Sequence, residues 1–263
     1  MSETGTSWVV DLRKEPIEVP FEIYAWAVEH SGELRREGYK LAIVENELTN
    51  EPLVRLTDYG VVNSSYETEK YALVDAHRLI DKDLHLSQHV YVRGSVARKL
   101  ILVDKRLRND GMFLYVRSGY RHPRVQELAY QLATEKHGEE FAKSRYAVKE
   151  ELVGSESVFP HSTGGVVDVE IWQEGKRMKM GAQGVPIHSW ELEVLLNKKE
   201  LPKEWKGYAM NRRILYHFMR EEGFYPSGEY WHWGFGDHLS YMSAKMLGEE
   251  SYRPWYGEAK FPD

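Results

Sequence analysis

Glu229 and His232 stand three residues apart inside an aromatic run, Phe224 to Phe235, FYPSGEYWHWGF. A carboxylate and an imidazole held against indole rings are partly shielded from water, and groups so placed bind a metal or handle a proton. A second stretch, Phe159 to Val169, FPHSTGGVVDV, puts His161 and Asp168 on either side of a Gly-Gly turn. The bland reading of His161 is a loop imidazole bonded to backbone, and that of Asp168 an exposed strand position. Exposure suits Asp168 poorly, because Val167 and Val169 flank it. Two His, one Asp and one Glu, well separated along the chain, suffice for a catalytic zinc site.

Such a site takes three protein ligands and keeps one position for water. His161, Asp168 and His232 would supply two neutral nitrogens and one carboxylate, leaving the ion a net positive charge. That charge lowers the pKa of its water and polarises a carbonyl. Glu229 is spaced to take the proton from that water and return it to a leaving amine. Arg121, in SGYRHP at a strand-to-helix turn, would donate hydrogen bonds to a developing oxyanion; its plainer reading is a partner for a nearby carboxylate. Tyr120, Ser162 and Trp231, within these motifs, and His188, in the loop from Arg177 to Trp190, are the candidate substrate contacts.

The elements that must position these groups follow from periodicity. Val96, Leu100, Val103 and Leu107 repeat at helical spacing, predicting a helix over Gly94 to Asp110 with Ser95 as N-cap and Gly111 at positive φ. Met112 to Val116 and Val166 to Trp172 read as strands, and Arg124 to Lys136 as a helix opened by Pro123. Ala209 to Glu222 is the second strong helix, and Leu239 to Leu247 a short one. The EYWHW run reads as one strand, with a bulge or turn near Glu229 needed to aim both polar groups into one pocket. Phe21 to His30 and Tyr71 to Ile80 are weakly helical, and Tyr39 to Val44 and Leu53 to Leu56 read as short strands. Residues 177–190 read as a long loop and 191–207 as charged surface. His85 and His89 have helical metal spacing, but alternating Leu84, Leu86, Val90 and Val92 favour a surface loop or strand. The sum is an α+β fold, a small, mainly antiparallel sheet packed against helices. Residues 1–70 read as an N-terminal extension packing on a main domain of 71–263.

Composition bounds the partners. The chain has 263 residues, 42% hydrophobic, enough for a sizeable core. Its net charge is −6 and no basic tract is interleaved with aromatics, which argues against nucleic acid. It has no cysteine, so disulfides and thiolate-bound zinc are excluded. No apolar run approaches the ~20 residues of a membrane helix. The first residues, MSETGTSWVVDLRKEP, lack a basic n-region and an apolar h-region, so no signal peptide and a cytoplasmic location are expected. A periplasmic or extracellular location stays open for a chain numbered after processing.

The three motifs in order, SGYR, then His-x6-Asp within HSTGGVVD, then Glu-x-Trp-His, resemble those of the D-alanyl-D-alanine dipeptidase and carboxypeptidase family of zinc metallopeptidases, which includes the vancomycin-resistance dipeptidases. The resemblance spans roughly residues 84 to 240 and includes the helix ending in EEGF before the last motif. It implies an α+β fold with a central antiparallel sheet and one catalytic Zn2+ per chain at the sheet face. It implies His161, Asp168 and His232 as zinc ligands, Glu229 as general base and Arg121 as transition-state stabiliser. The implied activity is hydrolysis of a peptide bond in small D-alanine-containing peptides of bacterial cell-wall metabolism. Phe159 stands where the dipeptidases usually carry Ser, and Val166 where they carry a small residue. Met180-Gly181 is present without the Phe-Asp that usually follows. These departures touch the substrate pocket. The missing Asp leaves Glu170, Glu174 and Glu191 as possible anchors for a free amine. They also keep two other readings open: a D,D- or L,D-carboxypeptidase or endopeptidase on longer muropeptides, and a non-catalytic zinc-containing binding domain.

Overall fold

The computed structural model describes residues 12–18, 26, 29–44, 51–60, 76, 89–145, 159–198 and 200–260. In chain order these form α1 (Ser31–Val44), β1 (Leu53–Arg55), β2 (Tyr91–Arg93), α2 (Gly94–Asn109), β3 (Met112–Ser118), α3 (Pro123–His137) and α4 (Glu139–Arg145). There follow β4 (Val166–Gln173), β5 (Lys176–Arg177), α5 (Ser189–Lys198), α6 (Lys203–Glu221), β6 (Tyr225–Pro226), β7 (His232–Gly234) and α7 (His238–Met246).

All the strand pairs are antiparallel. The main sheet runs β3-β4-β7-β6, with β5 on the far end of β4, and β1 pairs with β2 in a separate ribbon. The α+β expectation therefore holds. Alternation along β3 and β4 splits the sheet into two faces. Met112, Leu114, Val116, Val167, Val169 and Ile171 join Val96, Leu100, Val103 and Leu107 of α2 and Ile214, Leu215 and Phe218 of α6 in one core. Asp168, Glu170 and Trp172 take the other face. Across the sheet, Ser118, Asp168 and His232 stand in register.

Several expectations need correction. Residues 39–44 are the last turns of α1, not a strand. Leu34, Gly38 and Ala42 recur at four-residue spacing on its buried face, and Glu37 accepts a hydrogen bond from Tyr241 Oη at 2.6 Å on α7. Packing on α7 outweighs the strand propensity of Ile43 and Val44. Residues 191–207 are not plain surface: α5 and the start of α6 lie there, with Trp190 and Leu192 buried. Ser95 is not the cap of α2. Its backbone N–H and its hydroxyl donate to Glu51, at 2.6 and 2.7 Å, so a carboxylate from a distant segment caps the helix. Glu51 also accepts from Tyr256 Oη and pairs with Arg98 at 3.0 Å, and the Tyr256, Ser95 and Arg98 contacts together outweigh burial and hold its pKa below the usual value. His89 lies 3.3 Å from Arg55, and His85, most of Phe21 to His30 and all of Tyr71 to Ile80 except Ala76 lie outside the described residues. No helix among the described residues is long and apolar enough to cross a membrane.

The cap of α7 gives one prediction. Fully buried Asp237 accepts from the backbone N–H of Leu239 at 2.9 Å and of Ser240 at 3.3 Å. Asp237→Ala leaves both donors unmade, and thermal or urea unfolding should show a loss of about 2 kcal/mol.

Candidate metal centre

The Phe224 to Phe235 run is a hairpin, not one strand. β6 and β7 pair through Tyr225 with Gly234 and Pro226 with Trp233, and the chain reverses between them. Gly228, at φ 114°, adopts a conformation that side chains resist, and the backbone N–H of His232 closes back on Glu229 O at 3.0 Å. The expected turn near Glu229 is thus the reason both polar groups face one site. Trp233 points into the core, so the preceding His232 points to the opposite face of the sheet.

His161 sits in a single 3-10 turn, Pro160–Thr163, closed by Gly164 at φ 70°. Side chains staple that turn: Ser162 Oγ donates to Phe159 O at 2.8 Å and Thr163 Oγ1 to Pro160 O at 2.7 Å. His161 Nδ1 lies 2.7 Å from the Gly119 carbonyl, which only accepts. The proton is therefore assigned to Nδ1, and the lone pair to Nε2. Nε2 is 3.5 Å from Asp168 Oδ2. The imidazoles of His161 and His232 stack with centroids 4.9 Å apart and planes 8° from parallel. One donor atom from each of His161, Asp168 and His232 lies within 4.8 Å of the others. Arg121 Nη2 donates to Asp168 Oδ2 at 2.6 Å, and its Nε to Ser118 Oγ at 2.9 Å. The plainer reading of Arg121, a partner for a carboxylate, is realised.

Charge states follow from these contacts. Burial, reinforced by the Arg121 charge, pushes His161 down to about 4, so its ring is neutral near pH 7. Burial alone would raise Asp168, but the Arg121 guanidinium donating to its Oδ2 and the charge favoured on His232 overcome it and keep the carboxylate ionised. Burial also opposes charge on His232, and the hydrogen bond to Glu229 and the charge of Asp168 outweigh it, so His232 lies above its usual value. Glu229, its Oε2 3.2 Å from His232 Nδ1, is lowered by the same contact, which outweighs the partial desolvation of this half-exposed carboxylate. His232 Nε2 is buried and has no hydrogen-bond partner. Two imidazoles and an ionised carboxylate, with one buried nitrogen unsatisfied, fit a divalent metal of zinc's type.

The sequence model of a family described as D-ala-D-ala dipeptidase, Peptidase_M15, matches residues 53–248. The chain belongs to that family. No curated protein matches the chain. Among solved structures, one described as "Structure of the LdcB LD-carboxypeptidase reveals the molecular basis of peptidoglycan recognition" is similar at 17% identity, over 78% of this chain and 76% of that one, with a TM-score of 0.40.

In this D-ala-D-ala dipeptidase family member the four candidate substrate contacts separate. Tyr120 is buried among Leu53, Tyr91 and Ala259, with its phenol pushed up to about 12 by burial, so it belongs to the core. Ser162 is also fully buried and spends its hydroxyl on the His161 turn. Each adjoins a site residue in sequence, Tyr120 beside Arg121 and Ser162 beside His161, but its side chain turns into the core instead. His188 pairs with Glu229 in an isolated β-bridge, and Trp231 lies under the Arg117 guanidinium, 5.2 Å from ring centroid to carbon. Two positioning groups escaped sequence reasoning. The Gly119 carbonyl orients His161, which no side chain could have signalled. Ser118, which accepts from Arg121 three residues on, was legible in SGYR as a local pair.

Proposed function

We propose that this protein is a zinc-dependent peptidase that hydrolyses a peptide bond in D-alanine-containing peptides of bacterial cell-wall metabolism. The observation that carries this reading is the convergence of His161, Asp168 and His232 on one sheet face, with Glu229 beside them on the hairpin turn. His161, Asp168 and His232 would hold the ion. The chemistry a bound zinc supplies is polarisation of the scissile carbonyl and a more acidic water. Gly119 holds His161 in the tautomer that leaves Nε2 available. Arg121 keeps Asp168 ionised and, at the same place, offers positive charge to a developing oxyanion. Glu229 accepts the proton of the attacking water and delivers it to the leaving amine.

A second reading, carboxypeptidase action on longer peptides, is favoured by what surrounds the acidic residues. A free-dipeptide pocket needs an acid for the amine. Glu174 is exposed in the β4–β5 turn, Glu191 is exposed on α5, and Glu170 is already held by two arginines. The test is release of free D-alanine by zinc-loaded protein from D-Ala-D-Ala and from the same dipeptide N-acylated by a peptide. Turnover of the free dipeptide alone gives a dipeptidase, and turnover of the extended substrate alone a carboxypeptidase. Turnover of neither, with zinc bound, overturns hydrolysis at D-alanine. Dialysis against a chelator should abolish release, and added zinc should restore it; activity that survives complete metal removal would sink the metal reading.

A further inference from the structure

Arg212 of α6 is one of the largest fully buried side chains, 2% exposed. Burial pushes its pKa down to about 10, so the guanidinium is still a cation near neutral pH. The Glu193 carboxylate acts on it through charge alone, and both Glu193 oxygens are taken by Arg213 at 2.7 Å. Neutral groups hold Arg212 instead. Its Nε donates to the Met180 carbonyl at 2.6 Å and its Nη1 to the His188 carbonyl at 3.3 Å. The guanidinium lies over the Tyr230 ring, 4.4 Å from carbon to centroid. Withdrawing a cation from water is costly unless its donors are satisfied, and here the partners come from two points of one loop and from the hairpin turn.

Those contacts surround Glu229. The β6–β7 hairpin that carries it has strands of two and three residues, and a two-stranded ribbon so short has little stability of its own. Residues 187–188 give its turn a second support. The Tyr230 N–H donates to Ile187 O at 3.2 Å, and His188 pairs with Glu229 in the β-bridge. A methyl group built on Gly228 would lie 3.3 Å from His188 Cε1. Residues 178–187 form neither helix nor strand. Side chains of α6 fix them: Arg212 at Met180 and His188, and Asn211 Nδ2, which donates to Lys179 O at 2.8 Å. Gly181 completes the arrangement. A methyl group there would lie 3.2 Å from Arg212 Nη2 and 3.3 Å from Tyr230 Cε1, so the loop passes directly against the arginine–tyrosine contact.

We propose that Arg212 is a positioning residue for Glu229, joining Met180, His188 and the Tyr230 ring into one support for the turn that carries the carboxylate. The consequence for turnover rests on the peptidase reading; the anchoring rests on the contacts alone. A planar fork supplies divergent donors and a face for the ring at once, which the point charge of a lysine does not. A proton acceptor displaced by about 1 Å can cost ~10²-fold in rate. None of these contacts is to His161, Asp168 or His232, so the metal cluster does not depend on them.

Two variants of the full zinc-loaded chain test this. Arg212→Lys keeps the charge and loses the fork. Gly181→Ala removes no polar group and presses on the arginine–tyrosine contact, and it decides alone if Arg212→Lys does not fold. Hydrogen exchange read by mass spectrometry should rise roughly five- to tenfold in residues 185–190 and 228–233 of Arg212→Lys, the scale of one or two lost hydrogen bonds. It should rise less in Gly181→Ala, and in both variants residues 159–172 and metal content should stay unchanged. On a hydrolysed peptide, kcat of Arg212→Lys should fall about tenfold or more, with KM within about twofold. In a Glu229→Gln background the same substitution should cost no further kcat, because a residue that acts through Glu229 has nothing left to position. Wild-type exchange in both variants overturns the proposal, as does a rise spread evenly over the chain, which is general destabilisation. An undiminished further loss of kcat on top of Glu229→Gln also overturns it, since Arg212 then acts elsewhere. If the unmodified protein hydrolyses no peptide, the peptidase reading falls, and exchange in residues 228–233 still decides whether Arg212 anchors Glu229.

Discussion

Glu229→Gln should lower kcat by about 10²–10⁴-fold, the range that a positioned acid or base contributes, and leave the bound metal in place. Glutamine matches the shape of glutamate and keeps a polar contact to His232, but it cannot take a proton. Glu229 stands apart from the three groups that cluster as donors. Its side chain is 41% exposed, against 6% for Asp168, so the two carboxylates of the site have different surroundings. The buried one is fixed by Arg121 and suited to hold charge. The open one can meet water and substrate. A fall in kcat with little change in KM, alongside one metal per chain by elemental analysis, would match an interaction made chiefly in the transition state. Retention of full activity would sink the mechanism. Asp168→Asn should give the opposite pattern, because it weakens the metal itself. Comparing the two separates a proton-transfer role from a ligand role, which kinetics on either variant alone would not do.

Much of this architecture was legible from local spacing. The helix α2 and all but the first turns of α6 are legible because their apolar residues repeat every three or four positions and face one core. The strand β4 was read for the same reason, as a short apolar run. Misreadings came where tertiary contacts decide. The end of α1 has strand-forming side chains, yet it is helical because its four-residue stripe docks on α7, more than 190 residues away along the chain. EYWHW alternates like a strand, yet it is broken by Gly228 and by the pairing of Glu229 with His188 from another segment. In the site, residue types that do chemistry were recognisable, because histidine and carboxylate in apolar company are costly unless paired. What escaped was the backbone that orients them and the arginine pair over Glu170, since neither a carbonyl nor a long-range ion pair leaves a local pattern.

Gly119 shows how closely fold and site are joined. Gly119→Ala should destabilise the protein by about 3 kcal/mol or more, the upper range for forcing atoms into a packed core. A methyl group built there would fall on the Tyr91 carbonyl oxygen and lie 2.8 and 2.9 Å from the Cγ1 atoms of Val90 and Val92. The obstacle is mostly backbone, and it cannot swing aside: Tyr91 O already accepts the N–H of Tyr120 at 2.7 Å. Relief therefore requires β2 to separate from the end of β3. The same displacement moves the Gly119 carbonyl off His161 Nδ1, so metal affinity should fall as well, by about 10–100-fold for a lost orienting partner. Gly207→Ala is the matched control. That glycine lies within α6 with nothing inside 4 Å of the added carbon, so the same substitution should stabilise the protein by up to about 1 kcal/mol through helix propensity and leave metal binding unchanged. Denaturant unfolding and metal titration on the two variants decide the matter. Wild-type stability in Gly119→Ala would mean that β2 yields without cost. Wild-type metal affinity in a destabilised Gly119→Ala would mean that the carbonyl does not set the orientation of His161. Loss of both together, with the control moving the other way, is the result that a backbone-positioned ligand requires.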